Sequence, residues 1–251
     1  MKIKELKDFL DRKAAQYEAR SFLDEDPIQI PHRYSRKEDI EIMGLLTATI
    51  AWGNRKSIIR SALNIAELLD EAPFEFVMQH EESDLKALPP FVHRTFQLED
   101  LQFFLRALKN IYQDKGGLER AFNHPKGMKA GIEQFREHMF SIPHAPRSEK
   151  HISSPFKNSA AKRLNMYLRW MVRPSTAGVD FGLWQQINTS ALYCPLDVHS
   201  GRVARKLGLL KRQANDWKAN EELRTSLLNF DRVDPVKYDF ALFGLGIFEK
   251  F

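Results

Sequence analysis

Apolar residues recur along this chain at intervals of three and four over most of its length, the spacing of one helical face. Leu6, Phe9, Leu10 and Tyr17 mark a first amphipathic helix. Ser35-Arg36-Lys37-Glu38 has the form of a capping box. The run behind it, Ile40 to Trp52, is apolar on nearly every side and predicts a buried central helix ended by Gly53-Asn54. Arg55 to Leu69 repeats Ile58, Ala62, Ile65, Ala66 and Leu69, and Pro73 starts a short helix over Phe74 to Gln79. Leu98 to Tyr112 carries Leu98, Leu101, Leu105 and Leu108. Met128 to Phe140 fits a helix between the turn chemistry of His124-Pro125-Lys126-Gly127 and that of Ser141 to Pro146. In Ser159 to Arg173, Ala160, Leu164, Tyr167, Leu168 and Met171 form an apolar stripe, with Lys162, Met166, Arg169 and Arg173 opposite. Strand alternation is weak throughout. The expected fold class is all-α.

Composition narrows the class. A chain of 251 residues, 43% hydrophobic and 28% charged, suits a soluble protein with one large or two small cores. A single cysteine, Cys194, excludes an internal disulfide and a four-cysteine iron–sulfur cluster. No run reaches the length of a membrane span, and the charged N-terminus lacks a signal-peptide core, so a cytoplasmic location is expected. The eight histidines are scattered without i, i+4 pairs, so no metal site is expected.

Charge then points to a partner. The net charge is +5, and basic residues crowd positions 145–212 while acidic ones crowd 67–100. A basic half is the footprint that phosphate contacts require, although an unevenly charged solvated surface reads the same way.

The chemistry concentrates in Pro195-Leu196-Asp197-Val198-His199-Ser200-Gly201-Arg202-Val203, followed by Ala204-Arg205-Lys206-Leu207-Gly208. Asp197 stands at the start of a helix expected to bury Val198, Val203 and Leu207 and to stop at Gly208. Its carboxylate suits an N-cap, and one oxygen can cap while the other faces a ligand. His199 reads as structural, and Asp234 and Asp239 as capping and solvating the last helix.

The segment resembles the Val-Asp-Thr-His-(x)-x-Arg-Val motif of the helix-hairpin-helix DNA glycosylases, the superfamily of endonuclease III and the 8-oxoguanine glycosylases. The matching residues are Leu196, Asp197, Val198, His199, Arg202 and Val203. Asp234 to Gly246 is similar to that family's last core helix, which ends in a glycine, and Glu38 to Leu69 to its second and third helices. The likeness spans roughly residues 35 to 250, and the whole chain is similar to a bacterial branch of the superfamily with no assigned function. It implies a two-lobed helical fold with a cleft between the lobes. One lobe would be 34–125; the other would combine 1–33 with 126–251 and carry the hairpin and the aspartate.

The resemblance also implies a reaction. Lys162 matches the lysine that serves as nucleophile in bifunctional members, and Asp197 matches the catalytic aspartate. Thirty-five residues separate them, longer than in endonuclease III and close to the archaeal 8-oxoguanine glycosylases, with Pro174 to Tyr193 as an insertion. Breaking a base–sugar bond builds positive charge on the sugar, which a carboxylate stabilises in a dry pocket. A deprotonated amine can attack the anomeric carbon and form a Schiff base. Burial and neighbouring cations such as Arg163 would favour that deprotonation. Lys157 is a competing nucleophile, and Lys162 also reads as an ordinary solvated or phosphate-binding lysine.

Lys157, Arg163, Arg169, Arg202 and Arg205 are the candidate nucleic-acid contacts. Trp52, Trp170, Trp184 and Tyr193 are candidates by type for stacking on a flipped base, each of them also a candidate for plain core packing. One departure stands out. The family's hairpin carries Leu-Pro-Gly-x-Gly, whose free amides hold a phosphate. Here Ser153-Ser154-Pro155-Phe156-Lys157-Asn158-Ser159 occupies that place, where Ser and Asn could form the turn.

The expectation is a monomeric DNA N-glycosylase of base-excision repair, with a possible AP-lyase step. It would act on duplex DNA with a flipped, damaged base such as an oxidised purine. No cofactor is expected, though the family resemblance leaves room for a monovalent cation at the hairpin. A non-catalytic nucleic-acid-binding protein on the same fold is the main alternative, and an all-α enzyme acting on a free nucleoside or an RNA base is a third.

Overall fold

A computed structural model describes residues 3–251. Among the described residues the helices are α1 (Ile3–Tyr17), α2 (Lys37–Ile50), α3 (Arg55–Leu68), α4 (Pro73–Gln79), α5 (Glu82–Ala87) and α6 (Leu98–Asp114). Then follow α7 (Leu118–Phe122), α8 (Met128–Met139), α9 (Lys162–Val172), α10 (Val198–Lys206), α11 (Trp217–Leu228) and α12 (Tyr238–Ile247). The one sheet among them is a hairpin of β1 (Val92–His93) and β2 (Phe96–Gln97), paired antiparallel. The protein is mostly helical, as the periodicity requires. Among the described residues, no helix is long and apolar enough to cross a membrane.

The chain divides into two compact units. One is the stretch up to Phe22 with Ser154–Phe251, and the other is Leu23–Ser153. Sequence reading puts the divisions near residues 33 and 125, whereas 23–33 falls with the 23–153 unit. The segment 126–153 joins the 23–153 unit instead, for visible reasons. Phe135 of α8 stacks on Phe122 of α7 with ring centroids 4.1 Å apart. Ser148 and Arg147 donate to Asp100 of α6, whose carboxylate is fully buried.

Within residues 23–153, α2 forms the centre. Every residue from Ile40 to Ile50 is buried. The expected capping box at Ser35 and Glu38 is not formed: Arg36 is the N-cap residue and makes no side-chain cap bond. The nearby acid Asp39 instead accepts from the Phe74 amide at the start of α4. Capping boxes stand elsewhere, at Glu81/Asp84 and Gln97/Asp100.

In the other unit, α12 packs between α1 and α10. Gly244 lies under the Tyr17 ring and Gly246 against His199. The expected glycine stop on the last helix is therefore not what those glycines provide: both lie inside α12, where the missing Cβ lets neighbours approach. Gly208 does act as a stop, with φ +74° just after the C-cap Leu207. Helix α9 begins three residues later than its pattern suggests. Ala161 takes a left-handed φ of +47°, which a helix cannot continue through. Val198 was expected inside and is 72% exposed, on the first turn of α10.

Candidate active site

The Lys162 Nζ donates to the Asp197 Oδ2 at 2.7 Å. Each partner is delivered by a helix start. Lys162 is the first residue of α9, and Asp197 is the N-cap of α10. The two oxygens of Asp197 divide their work. Oδ1 accepts from the backbone amides of His199 and Ser200, each at 2.9 Å, and Oδ2 takes the ammonium. The Ser200 hydroxyl returns a bond from the Asp197 amide, completing a capping box. The cap reading and the chemical reading of Asp197 are thus compatible in one carboxylate.

Exposure matters for the chemistry. The Lys162 side chain is 41% exposed and that of Asp197 18%. The amine is within reach of a ligand, while the carboxylate lies mostly behind it. Burial raises the Asp197 carboxyl, but the adjacent Lys162 ammonium and the Ser200 donors outweigh it. The net shift is below the ordinary carboxylate range, so the group is an anion at neutral pH.

The turn before α9 is built without glycine. Asn158 at φ +63° and Ala161 at φ +47° take the left-handed region. Asparagine adopts it readily, alanine at some cost. Side chains hold the turn in place. The Asn158 amide donates to Asp216 at 2.9 Å, and its carbonyl accepts the Trp217 amide at the head of α11. The buried Asn165 donates to the Ala160 carbonyl at 2.9 Å. Helix α11, which the sequence reading left unassigned, is the clamp on this turn.

The candidate nucleic-acid contacts separate by burial. Lys157 and Arg202 are exposed, and Arg202 also reaches the Gly246 carbonyl at 3.1 Å. Arg205 is half-buried and braced by the Arg212 carbonyl and the Asn215 side chain. Arg163 is half-buried; burial lowers its guanidinium to about 10, which leaves it cationic at neutral pH. Arg169 is 4% exposed and cannot reach a phosphate. It pairs with Asp180 and Asp239 inside the unit. The helical wheel put Arg169 and Arg173 on a solvent face. Helix α9 is in fact buried on most sides, and carboxylates from elsewhere in the chain neutralise both arginines.

The aromatic candidates do not converge. Trp170 and Trp184 are core residues, 0% and 1% exposed, with no face open to a base. Tyr193 is half-buried, tilted against Trp217 and under the Arg224 guanidinium. Trp52 belongs to the 23–153 unit, half-buried, with its ring stacked on His151 at 6.1 Å and edge-on to His93 at 5.4 Å. His199 is exposed on the first turn of α10. Among the described residues no group of three or more His, Cys, Asp or Glu could hold a metal ion.

Sequence reasoning missed one member of the neighbourhood. Asp239 was read as a solvated helix cap and is 6% exposed, bonded to Arg169. Its signal was present only as an acid inside an otherwise apolar helix, Tyr238-Asp239-Phe240-Ala241-Leu242. Asp234 does cap, accepting from the Lys237 amide, but its other oxygen takes Arg173.

The chain belongs to a family described as "Protein of unknown function (DUF2400)", whose model matches residues 26–248. No curated protein and no solved structure matches it.

Proposed function

We propose that this protein is a DNA N-glycosylase with an associated lyase step, acting through Lys162 and Asp197. The observation that carries the reading is the 2.7 Å contact between these two groups, each mounted at a helix start, 35 residues apart in sequence. Together they supply what cleavage of a base–sugar bond requires. The amine attacks C1′, the C1′–N bond breaks with its electron pair leaving on the base, and the amine sheds a proton. The carboxylate stabilises positive charge as it builds on the sugar. The exposed Lys157 and Arg202 offer charge for phosphates nearby in sequence. A damaged purine on duplex DNA is the substrate class the sequence resemblance suggests.

The rival reading is a nucleic-acid-binding protein without chemistry, in which Lys162 and Asp197 are a structural ion pair. The glycine-free turn at Asn158 and Ala161 favours it.

Borohydride trapping separates the two. The protein is incubated with duplex oligonucleotides carrying 8-oxoguanine or an abasic site, with Lys162→Gln in parallel. A covalent adduct that the variant loses supports the lyase reading and identifies the nucleophile. No adduct and no released base on either substrate moves the assignment to binding alone.

A further inference from the structure

The turn between α6 and α7 borders a surface cavity of about 320 Å³, lined by Asp114, Lys115, Arg120, Asn123, Gln134 and His138. All six lie within residues 23–153, outside the unit that holds Lys162 and Asp197. The volume falls at the lower end of the roughly 300–1,000 Å³ of small-molecule sites, but the apolar lining usual there is missing. A small polar ligand suits such a wall and an apolar one does not.

The local backbone brings these side chains together. Lys115 is the C-cap residue of α6, and its amide and that of Gly117 both donate to the Ile111 carbonyl, at 3.0 and 3.2 Å. Gly116 and Gly117, at φ +77° and +89°, then turn the chain into α7. Arg120 of α7 folds back over Gly116: a Cβ there would lie 2.9 Å from the Arg120 Cδ and 3.3 Å from its Nη1. The glycine thus gives the guanidinium its room beside Lys115. From α8, the Gln134 Nε2 donates to the carbonyls of Arg120, Ala121 and Asn123, at 3.3, 2.9 and 3.3 Å. That grip ties the end of α7 to α8, and His138 follows one turn further along α8 on the cavity wall.

The charge on the wall is unmatched. Arg106, Arg136 and Arg147 of the same unit take carboxylates. Among the described residues, Lys115 and Arg120 are in no ion pair, and the His138 ring has no hydrogen-bond partner. Asp114 is the acid among the six, and its Oδ2 already accepts from the Asn110 side chain at 2.9 Å. Burial and the Lys115 charge hold the His138 imidazole below its ordinary value against Glu137, so at neutral pH it is uncharged with one N–H to give.

We propose that this cavity is a binding site for a phosphate group, with Arg120 and Lys115 as its cationic contacts and His138 as a neutral donor. The site stands apart from the reading of Lys162 and Asp197. A phosphate monoester carries about −1.5 to −2 at neutral pH and three strong acceptor oxygens. It meets the guanidinium fork with two of them and the ammonium as a point charge. A carboxylate brings a single charge and neutralises less of the wall. The phosphate can belong to a small monoester or to a nucleic-acid backbone.

Isothermal titration calorimetry of the full chain with inorganic phosphate tests the site. Arg120→Gln and Lys115→Gln are each expected to weaken binding about tenfold, the scale of one charge-assisted hydrogen bond. Asp114→Asn is expected to tighten it, and Lys86→Gln, at an exposed lysine of α5 outside the wall, to leave it unchanged. No phosphate binding by the wild type, wild-type binding in both Arg120→Gln and Lys115→Gln, or an equal loss in Lys86→Gln overturns the proposal. Should Arg120→Gln not fold, Arg120→Lys replaces it: it keeps the charge without the fork, a smaller loss is expected, and no loss overturns the role of Arg120. Two further titrants distinguish the source. Adenosine monophosphate that binds more tightly than phosphate, where adenosine does not bind, assigns a small monoester. A duplex oligonucleotide that phosphate displaces, and that both variants weaken, assigns the backbone of a nucleic acid.

Discussion

Gly244 of α12 lies flat against the ring of Tyr17 at the end of α1: a Cβ at that glycine would fall 2.1 Å from the ring's Cδ2. No side chain fits without moving either the ring or the helix. Gly244→Ala is expected to destabilise the protein by about 1–3 kcal/mol through overpacking. The Gly244→Ala/Tyr17→Ala double variant should recover part of that loss. Urea unfolding measures both; an unchanged midpoint for Gly244→Ala would show that α1 is not held in this way.

Capping and chemistry at Asp197 separate by choice of substitution. Asparagine keeps a side-chain acceptor for the His199 and Ser200 amides but removes the charge that faces Lys162. Asp197→Asn should abolish base release with DNA affinity nearly unchanged. Asp197→Ala should in addition lower stability by about 1 kcal/mol for the lost cap. Turnover that survives in Asp197→Asn removes the aspartate from the mechanism.

Arg169 and Arg202 were equal candidates by sequence and should behave oppositely. Arg169→Met leaves Asp180 and Asp239 buried without their shared partner. The expected loss is about 3–5 kcal/mol, as for a broken buried ion pair. Arg202 is exposed, so Arg202→Ala should stay within about 0.5 kcal/mol of wild type. Thermal melting of the two variants side by side decides the ranking.

Salt titration of DNA binding tests the partner. If Lys157 and Arg202 meet phosphates, each alanine variant should weaken binding on all sequences and reduce the log–log salt slope by about 1. A wild-type affinity that does not change with salt argues against any nucleic-acid partner.

Two carboxylates give stability opposite pH signatures. The Asp197 carboxyl is lowered on folding, because Lys162 and the Ser200 donors outweigh burial. Its contribution is present above the ordinary carboxylate value and is lost as pH falls through its folded value. Asp239 is raised to about 6 by burial, so its contribution is present below its ordinary value and is lost as pH rises toward 6. Asp197→Asn should flatten the acid limb of the stability curve, and Asp239→Asn the limb between about pH 4 and 6. Stability curves parallel to wild type in both variants would remove these groups from the linkage.

The amino-acid sequence by itself determined most of the longer helices, because a 3.6-residue period in apolar residues is a local property. It placed α2, α3, α6 and α8 to within a few residues and singled out Lys162 and Asp197. It passed over β1 and β2, whose two-residue strands are too short to show alternation, and α11, whose apolar stripe is weak. Only the tertiary structure decided which charges face water. Arg169 and Arg173 look solvent-facing on a helical wheel, yet they are buried by Asp180, Asp239, Glu18 and Asp234, from 7 to 155 residues away. Trp170 and Trp184 became core for the same reason. Burial depends on what the rest of the chain brings alongside, and no spacing along one helix carries that information.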